Sequence, residues 1–192
     1  FIGLLGQLKQ ITIILILLPG IIGVILNIKN MFKLKKIFLN SINLLLKMPL
    51  WLMIICSFTI LLAVGTGLGA LILPPKGDAA AFYMVYPKII ATTGLLEPMQ
   101  GPFYFFSSIG LPVELHYTAL MILGDGQAAK FLMFPIALSA GVMLSGIVRE
   151  CDGKSIAVII TWAMLLSSVT FHHYIYDGKV DLAAAAYGLA AV

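Results

Sequence analysis

The chain has 192 residues, of which 61% are hydrophobic and only 10% are charged, and its formal net charge is +4. Soluble domains carry about 25% charged residues, so this composition excludes an ordinary soluble domain and indicates an integral membrane protein. The long apolar runs lack the alternation of barrel strands, which predicts an all-α, polytopic helical bundle.

The first two apolar runs predict membrane-spanning helices over about 11–28 and 50–73. A helix rises about 1.5 Å per residue, so about 20 residues cross a bilayer core. The connection between the runs contains no acidic residue and five lysines, Lys29, Lys33, Lys35, Lys36 and Lys47. By the positive-inside rule it is expected in the cytoplasm, with an interfacial helix over 31–47. The basic charge is therefore a topology signal, and no nucleic-acid partner is expected.

Residues 74–127 are predicted to form a large first extracytoplasmic loop with interfacial helices. Within it, the apolar stretch 110–123 has only 14 residues and includes Glu114 and His116. Such a stretch is too short to cross a bilayer, so we expect an interfacial or re-entrant helix. Its two polar side chains are expected to face either a binding site or the lipid headgroups.

The remaining apolar runs predict spans over about 128–148, 155–171 and 182–192. The last run is short for a span and the chain begins with Phe1, so we expect a fragment of a single transmembrane domain whose last helix continues past residue 192. The expected location is the cytoplasmic membrane of a bacterium or archaeon, as a multi-pass protein.

Two acidic segments share the outer side in this topology. Asp78 is the first acidic residue of the chain, and Asp177 and Asp181 follow about a hundred residues later. Helix capping is one explanation for Asp78 and Asp181, since each directly precedes a helical stretch. Converging carboxylates would instead favour a shared polar site, with a divalent cation such as Mg²⁺ or Mn²⁺ held by all three aspartates.

Five short motifs follow one another along residues 50–192. They are Gly77-Asp78-Ala79-Ala80-Ala81-Phe82-Tyr83 with Pro87-Lys88, Gly101-Pro102-Phe103-Tyr104-Phe105-Phe106, Glu114-Leu115-His116-Tyr117, Ala128-Ala129-Lys130-Phe131-Leu132, and Val180-Asp181-Leu182. Together they resemble the N-terminal portion of GT-C superfamily membrane glycosyltransferases, in particular those similar to dolichyl-phosphate-mannose mannosyltransferases. Many members have a Tyr-His pair where this chain has Phe82-Tyr83, so no histidine role is expected there.

The resemblance implies hexosyl or pentosyl transfer from a polyprenyl-phosphate donor to an acceptor at the outer membrane face. Asp78 would be the catalytic base or metal-organising carboxylate, with Asp181 as its partner. The expected substrate-binding residues are Lys88, Glu114, His116, Lys179, His172 and His173. Lysines at a membrane boundary also extend to the headgroups without binding a substrate, which is the alternative for Lys88 and Lys179.

Two other classes of protein stay open. A non-catalytic GT-C-like subunit would act as a scaffold beside other membrane subunits, and its cleft would be filled. A transporter would place charged residues such as Glu114 and Lys130 along a path through the membrane. The lipid bilayer is the expected partner in each case, and a polyprenyl-phosphate-linked sugar is the expected partner of the transferase alone.

Overall fold

The computed structural model describes residues 6–28, 47–107 and 112–191, apart from the side chains of Phe103 and Phe106. Within these ranges the ordered elements are all helices, and no strand occurs among them. The predicted all-helical class is therefore confirmed. The interfacial helix expected over 31–47 falls almost entirely outside the described residues.

The described α-helices have short connections over most of the chain. They are α1 Gln10–Leu26, α2 Leu50–Ile72, α3 Val85–Thr93, α4 Pro112–Leu123, α5 Gly126–Phe131, α6 Met133–Glu150, α7 Ser155–Ser167, α8 Val169–Asp177 and α9 Asp181–Ala190. A π-helical turn, Ala79–Tyr83, precedes α3, and a 3₁₀ helix, Gly101–Ser107, precedes α4.

Two helical segments of the described chain are long and apolar enough to cross a membrane, α2 and the α5–α6 segment Gly126–Glu150. Their bounds lie close to the expected ranges 50–73 and 128–148. The second begins at an N-cap, because the Asp125 carboxylate accepts a hydrogen bond of 2.8 Å from the Ala128 N–H. Helix α1 is apolar but has 17 residues. Helix α4 has 12 residues, about 18 Å of helix, which is too short for a span.

The run expected to span over 155–171 is divided into two helices. α7 ends at Ser167, α8 begins at Val169, and their axes differ by 62°. Ser168 has an extended backbone between them, and its hydroxyl accepts a hydrogen bond from the Phe171 N–H at 3.4 Å. Serine in this conformation is a favoured N-cap, so it starts a new helix instead of continuing the old one. Neither helix qualifies as a span by itself, and the pair gives a third candidate span only if α7 and α8 cross the membrane as one bent helix.

The buried core lies where α2, α4, α6, α8 and α9 meet. Tyr117, Met133, Ile175 and Ala183 are almost fully buried there. Burying a large apolar side chain stabilises a fold by about 1.5–3 kcal/mol, so this cluster fixes the helices that carry the acidic segments. The outer surfaces of α1 and α2, by contrast, present many exposed leucine and isoleucine side chains.

Candidate functional site

The two acidic segments meet at one end of the bundle. The Lys179 Nζ lies 3.4 Å from the Asp78 Oδ2, and a β-carbon placed on Gly77 would lie 4.0 Å from the Asp177 Oδ2. The Asp78 side chain is 59% exposed, whereas that of Lys179 is 17% exposed. A solvent-facing carboxylate is therefore paired with the ammonium of a lysine whose side chain is partly buried.

The turn between α8 and α9 places Lys179 in this pair. Gly178 ends α8 in the left-handed conformation, with φ +72°, which glycine adopts without a steric penalty. The Lys179 N–H then donates to the Tyr174 carbonyl oxygen at 3.0 Å, and the ammonium lies 5.5 Å from the Tyr174 ring centre. Burial opposes the charge of Lys179, but the hydrogen bond to Asp78 and the carboxylates of Asp78 and Asp177 outweigh it and raise its pKa. Lys179 is therefore a fixed cation.

Neither Asp78 nor Asp181 caps a helix through its side chain. Asp78 has a helical backbone, with φ −63° and ψ −33°, and makes no capping hydrogen bond. Asp181 is the first residue of α9, where a negative charge interacts favourably with the helix dipole without acting as a cap. The capping explanation therefore does not account for the Asp78 carboxylate, whose partner is Lys179.

Tyr83 lies among the charged groups of both segments. Burial raises the pKa of its phenol. Four charged groups also act on this hydroxyl: Asp181, Asp78 and Glu114, which raise its pKa, and Lys179, which lowers it. The phenol therefore stays neutral and can donate a hydrogen bond. From the sequence, Tyr83 was notable only as a departure from the Tyr-His pair of the motif. Its position five residues after Asp78 could have indicated that it lies near that carboxylate.

Glu114 is buried at the start of α4, with 7% of its surface exposed. Within the described part of the chain its Oε2 has no hydrogen-bond partner. Burial raises the pKa of this carboxyl, against a smaller lowering by a backbone hydrogen bond. Its charge acts on Tyr83, so α4 contributes a third acidic group to the same region.

His116 does not join Glu114. It is exposed, its Nδ1 lies 2.6 Å from the Pro112 carbonyl oxygen, and it borders a groove between α1 and α4 that Ile13 also lines. Residues two apart on a helix are separated by about 200° around the axis, so the two side chains face different surroundings.

The two adjacent histidines also have separate partners. The His172 Nδ1 lies 2.7 Å from the Thr66 Oγ1 on α2, and its Nε2 contacts the Leu166 carbonyl oxygen. The His173 side chain is 56% exposed, and its Nε2 lies 3.1 Å from the Asp177 Oδ2. His172 thus fastens α8 to α2 and to the end of α7, whereas His173 pairs with the second acidic segment.

Lys88 is exposed on α3. The ion pairs found among the described residues do not include it, and it is not among the charged groups that act on Tyr83. The structure therefore brings together Asp78, Lys179, Tyr83, Glu114 and Asp181, with His173 and Asp177 beside them, and leaves Lys88 and His116 elsewhere.

The three aspartates that the sequence predicts as ligands of a divalent cation each have other surroundings in the structure. No group of three His, Cys, Asp or Glu side chains that could hold a metal ion occurs in the described ranges. Asp78 has an ammonium partner and Asp177 has a histidine partner, whereas Mg²⁺ and Mn²⁺ require several free oxygen ligands. The residues in this arrangement do not fit such an ion. A Mg²⁺ or Mn²⁺ site at Asp78, Asp177 and Asp181 stays a prediction.

Comparison with family models, curated proteins and solved structures finds no match to this chain. The resemblance to GT-C enzymes therefore stays a prediction that depends on the sequence motifs alone.

Proposed function

We propose that this chain is a membrane-embedded glycosyltransferase component, with a site for sugar transfer from a polyprenyl-phosphate donor at one end of its bundle. The observation that carries the proposal is the contact between the Asp78 carboxylate and the Lys179 ammonium. It joins a potential proton acceptor to a fixed cation, and the neutral Tyr83 hydroxyl lies in the same field. Glycosyl transfer to a hydroxyl acceptor needs a base for the acceptor proton and a group that stabilises the departing phosphate.

The exposed apolar surface supports the membrane part of the proposal. On α1 only Ile13 is buried, and the exposed side chains include Ile11 at 72% and Leu26 at 76%. On α2, Leu61 is 67% exposed. Apolar surface gains about 25 cal/mol per Å² when it is removed from water, so helices of this kind are stable when lipid tails or other membrane helices surround them.

In this proposal Asp78 would act as the general base. Its carboxylate is open to an incoming acceptor and would take the hydroxyl proton as the acceptor oxygen attacks the anomeric carbon of the donor. The new carbon–oxygen bond forms as the bond from that carbon to the phosphate oxygen breaks. The electron pair leaves with the polyprenyl phosphate.

Lys179 would stabilise this departing phosphate. A positioned ammonium acts as a point charge on phosphate oxygens, and stabilisation of charge that develops in the transition state is often the largest catalytic contribution. Tyr83, with a raised pKa, would donate its hydrogen bond to a substrate oxygen. Glu114 would supply a further acceptor, or donor when protonated, from the buried side of the site.

An apolar groove between α2 and α7 suits the lipid part of such a donor. It has a volume of about 270 Å³ and is lined by apolar side chains that include Ile60, Ala63, Ile159 and Trp162. Leu166 forms part of the same wall, and its carbonyl oxygen contacts His172 of α8. An isoprenoid chain in this groove would extend along the bundle from the end that carries the charged residues.

The direct test is transfer by the full-length protein in lipid vesicles. A panel of hexosyl and pentosyl polyprenyl phosphates would be supplied, and release of polyprenyl phosphate and formation of the glycosylated acceptor would be measured. Transfer by the wild type that is lost in Asp78→Asn supports the proposal. No turnover of any donor, or full activity of Asp78→Asn, would contradict it.

A scaffold subunit is the second candidate, and the Asp78–Lys179 pair itself favours it. An ion pair between Asp78 and Lys179 can join the two segments of the chain without any substrate. A scaffold would co-purify with other membrane subunits in a fixed ratio, and Asp78→Asn would leave that ratio and the activity of the assembly unchanged.

A further inference from the structure

Lys130 is a completely buried lysine beside the site. It lies on α5, and none of its surface is exposed. Its Nζ donates a hydrogen bond to the carbonyl oxygen of Leu73, the residue that ends α2. That carbonyl belongs to a helix C-terminus, where unpaired oxygens carry partial negative charge and favour a cation.

The opposite side of Lys130 touches the turn between α8 and α9. A β-carbon on Gly178 would lie 2.9 Å from the Lys130 Cγ, so the lysine stem packs directly against this turn. The carbonyl oxygen of Gly178 also accepts a hydrogen bond of 2.6 Å from the buried Tyr117 hydroxyl of α4. The Asp177 carboxylate lies within electrostatic reach of the Lys130 ammonium. One side chain therefore contacts both segments that lead into the site.

We propose that Lys130 is a positioning residue that clamps the end of α2 to the α8–α9 turn and so sets the separation of Asp78 and Lys179. Leu73 lies five residues before Asp78, and Gly178 directly precedes Lys179. The importance of that separation for catalysis rests on the proposed function, whereas the clamp itself can be tested without any activity.

Packing alone does not require a lysine here. A buried charge is unfavourable unless it is paired, and an apolar side chain of similar volume would fill the same space without that cost. The feature that only a long cationic side chain provides is a donor that reaches the Leu73 carbonyl while its stem covers Gly178. The neighbouring Gln127 offers a matched comparison, because its Nε2 donates to the same Leu73 oxygen at 3.1 Å and to that of Leu71 at 2.8 Å.

The experiment measures how readily positions 78 and 179 can be joined. The native cysteines, including Cys56 and Cys151, are replaced by serine. Asp78→Cys and Lys179→Cys are then introduced in the full-length protein in vesicles. The rate of intramolecular cross-linking by a short bifunctional thiol reagent is then compared with and without Lys130→Met. Each rate is corrected for the folded fraction, measured by size-exclusion chromatography in detergent.

We expect Lys130→Met to slow cross-linking by at least about fivefold, because a loosened support allows a site to drift by about 1 Å. Gln127→Met should leave the rate within about twofold, since Lys130 still holds the same carbonyl and the turn. A lysine that contributes only to stability would lower the folded fraction and leave the corrected rate unchanged, which overturns the proposal.

A second variant covers failure of Lys130→Met to fold. Lys130→Gln keeps a hydrogen-bond donor on a side chain that is one atom shorter and falls short of the Leu73 carbonyl oxygen, and the same slowing is expected. An unchanged corrected rate would again overturn the clamp. The transfer assay separates the two proposals. If Lys130→Met slows cross-linking but the wild type transfers no sugar, the clamp is supported and the proposed function is contradicted. If the wild type transfers sugar but Lys130→Met leaves cross-linking unchanged, the function is supported and the clamp is contradicted.

Discussion

The Lys179 ammonium lies 3.4 Å from the Asp78 carboxylate, across a separation of 101 residues in the chain. An ion pair with an exposed carboxylate contributes little to stability, because solvent and salt screen it. Stability is therefore a weak reason for bringing these two residues together. Together with Tyr83 and the buried Glu114 they form a cluster of one cation, two carboxyls and a phenol, which are the groups that the proposed transfer would use.

Replacing Lys179 by methionine should impair transfer more than it impairs folding. We expect kcat to fall by about 10²-fold, because the ammonium would no longer stabilise the departing phosphate. The stability should change little, because solvent and salt screen this ion pair. Transfer kinetics in vesicles and thermal unfolding in detergent measure the two effects. The matched control is Lys88→Met, which removes an exposed lysine outside the site. Equal losses in the two variants would show that surface charge in general, and not Lys179, supports the reaction.

The Tyr83 hydroxyl should contribute to the rate of transfer but little to the stability of the fold. Tyr83→Phe removes one oxygen from the centre of the charged groups, and we expect kcat/KM to fall by about 10- to 100-fold, since a hydrogen bond to a charged partner contributes about 1.5–3 kcal/mol. Tyr86→Phe is the control, because its hydroxyl donates to the Glu97 carbonyl oxygen at 3.0 Å, outside the site. That variant should lose some stability and keep its transfer activity. Full activity of Tyr83→Phe would remove Tyr83 from the site.

Glu114 should make stability depend on pH in a defined direction. Burial raises the pKa of its carboxyl above the ordinary value of 4.5, so the folded protein holds this proton more tightly than the unfolded chain. The resulting stabilisation is complete below about pH 4.5 and is lost as the pH rises through the folded-state pKa. Glu114→Gln abolishes this titration.

Thermal unfolding in detergent from about pH 4 to about pH 8, a range that brackets the titration of the buried carboxyl, tests this expectation. The unfolding temperature of Glu114→Gln relative to that of the wild type should rise as the pH increases. Glu97→Gln removes an exposed carboxylate between α3 and the 3₁₀ helix and is the control for a change of surface charge. Parallel curves for wild type and Glu114→Gln would mean that the buried carboxyl is not desolvated as described.

Much of the helical framework could be predicted from the sequence, because the thickness of the bilayer core sets the length of an apolar helix. An uninterrupted apolar run of about 20 residues must form a helix to satisfy its backbone in lipid, and the run 50–73 corresponds closely to α2, Leu50–Ile72. The division at Ser168 was not predicted, because hydropathy does not register a single serine whose hydroxyl caps the following helix. Such a local hydrogen bond competes with helix continuation.

The residues of the candidate site could be predicted from the sequence, but most of their partners could not. Asp78, Asp181, Glu114 and Lys179 were candidates because charged residues are rare in this chain. Their partners depend on tertiary contacts that no spacing rule gives, such as the Lys179–Asp78 pair and the burial of Lys130. Helical geometry could have separated Glu114 from His116, since residues two apart face different directions.

The close approach of α8 to α2 should make Gly69 intolerant of a side chain. A β-carbon at this position would lie 2.5 Å from the Tyr176 ring, which stacks on His172 with ring centres 5.9 Å apart. Gly69→Ala should therefore lower the free energy of unfolding by about 1–3 kcal/mol, the usual cost of overpacking. Gly65→Ala is the matched control, because it lies one turn earlier on α2 and its β-carbon would meet no atom within 4 Å. There alanine should be neutral or stabilising by up to about 1 kcal/mol through helix propensity. Thermal unfolding of both variants in the same detergent measures the difference, and equal stabilities would refute the described packing of Tyr176 against α2.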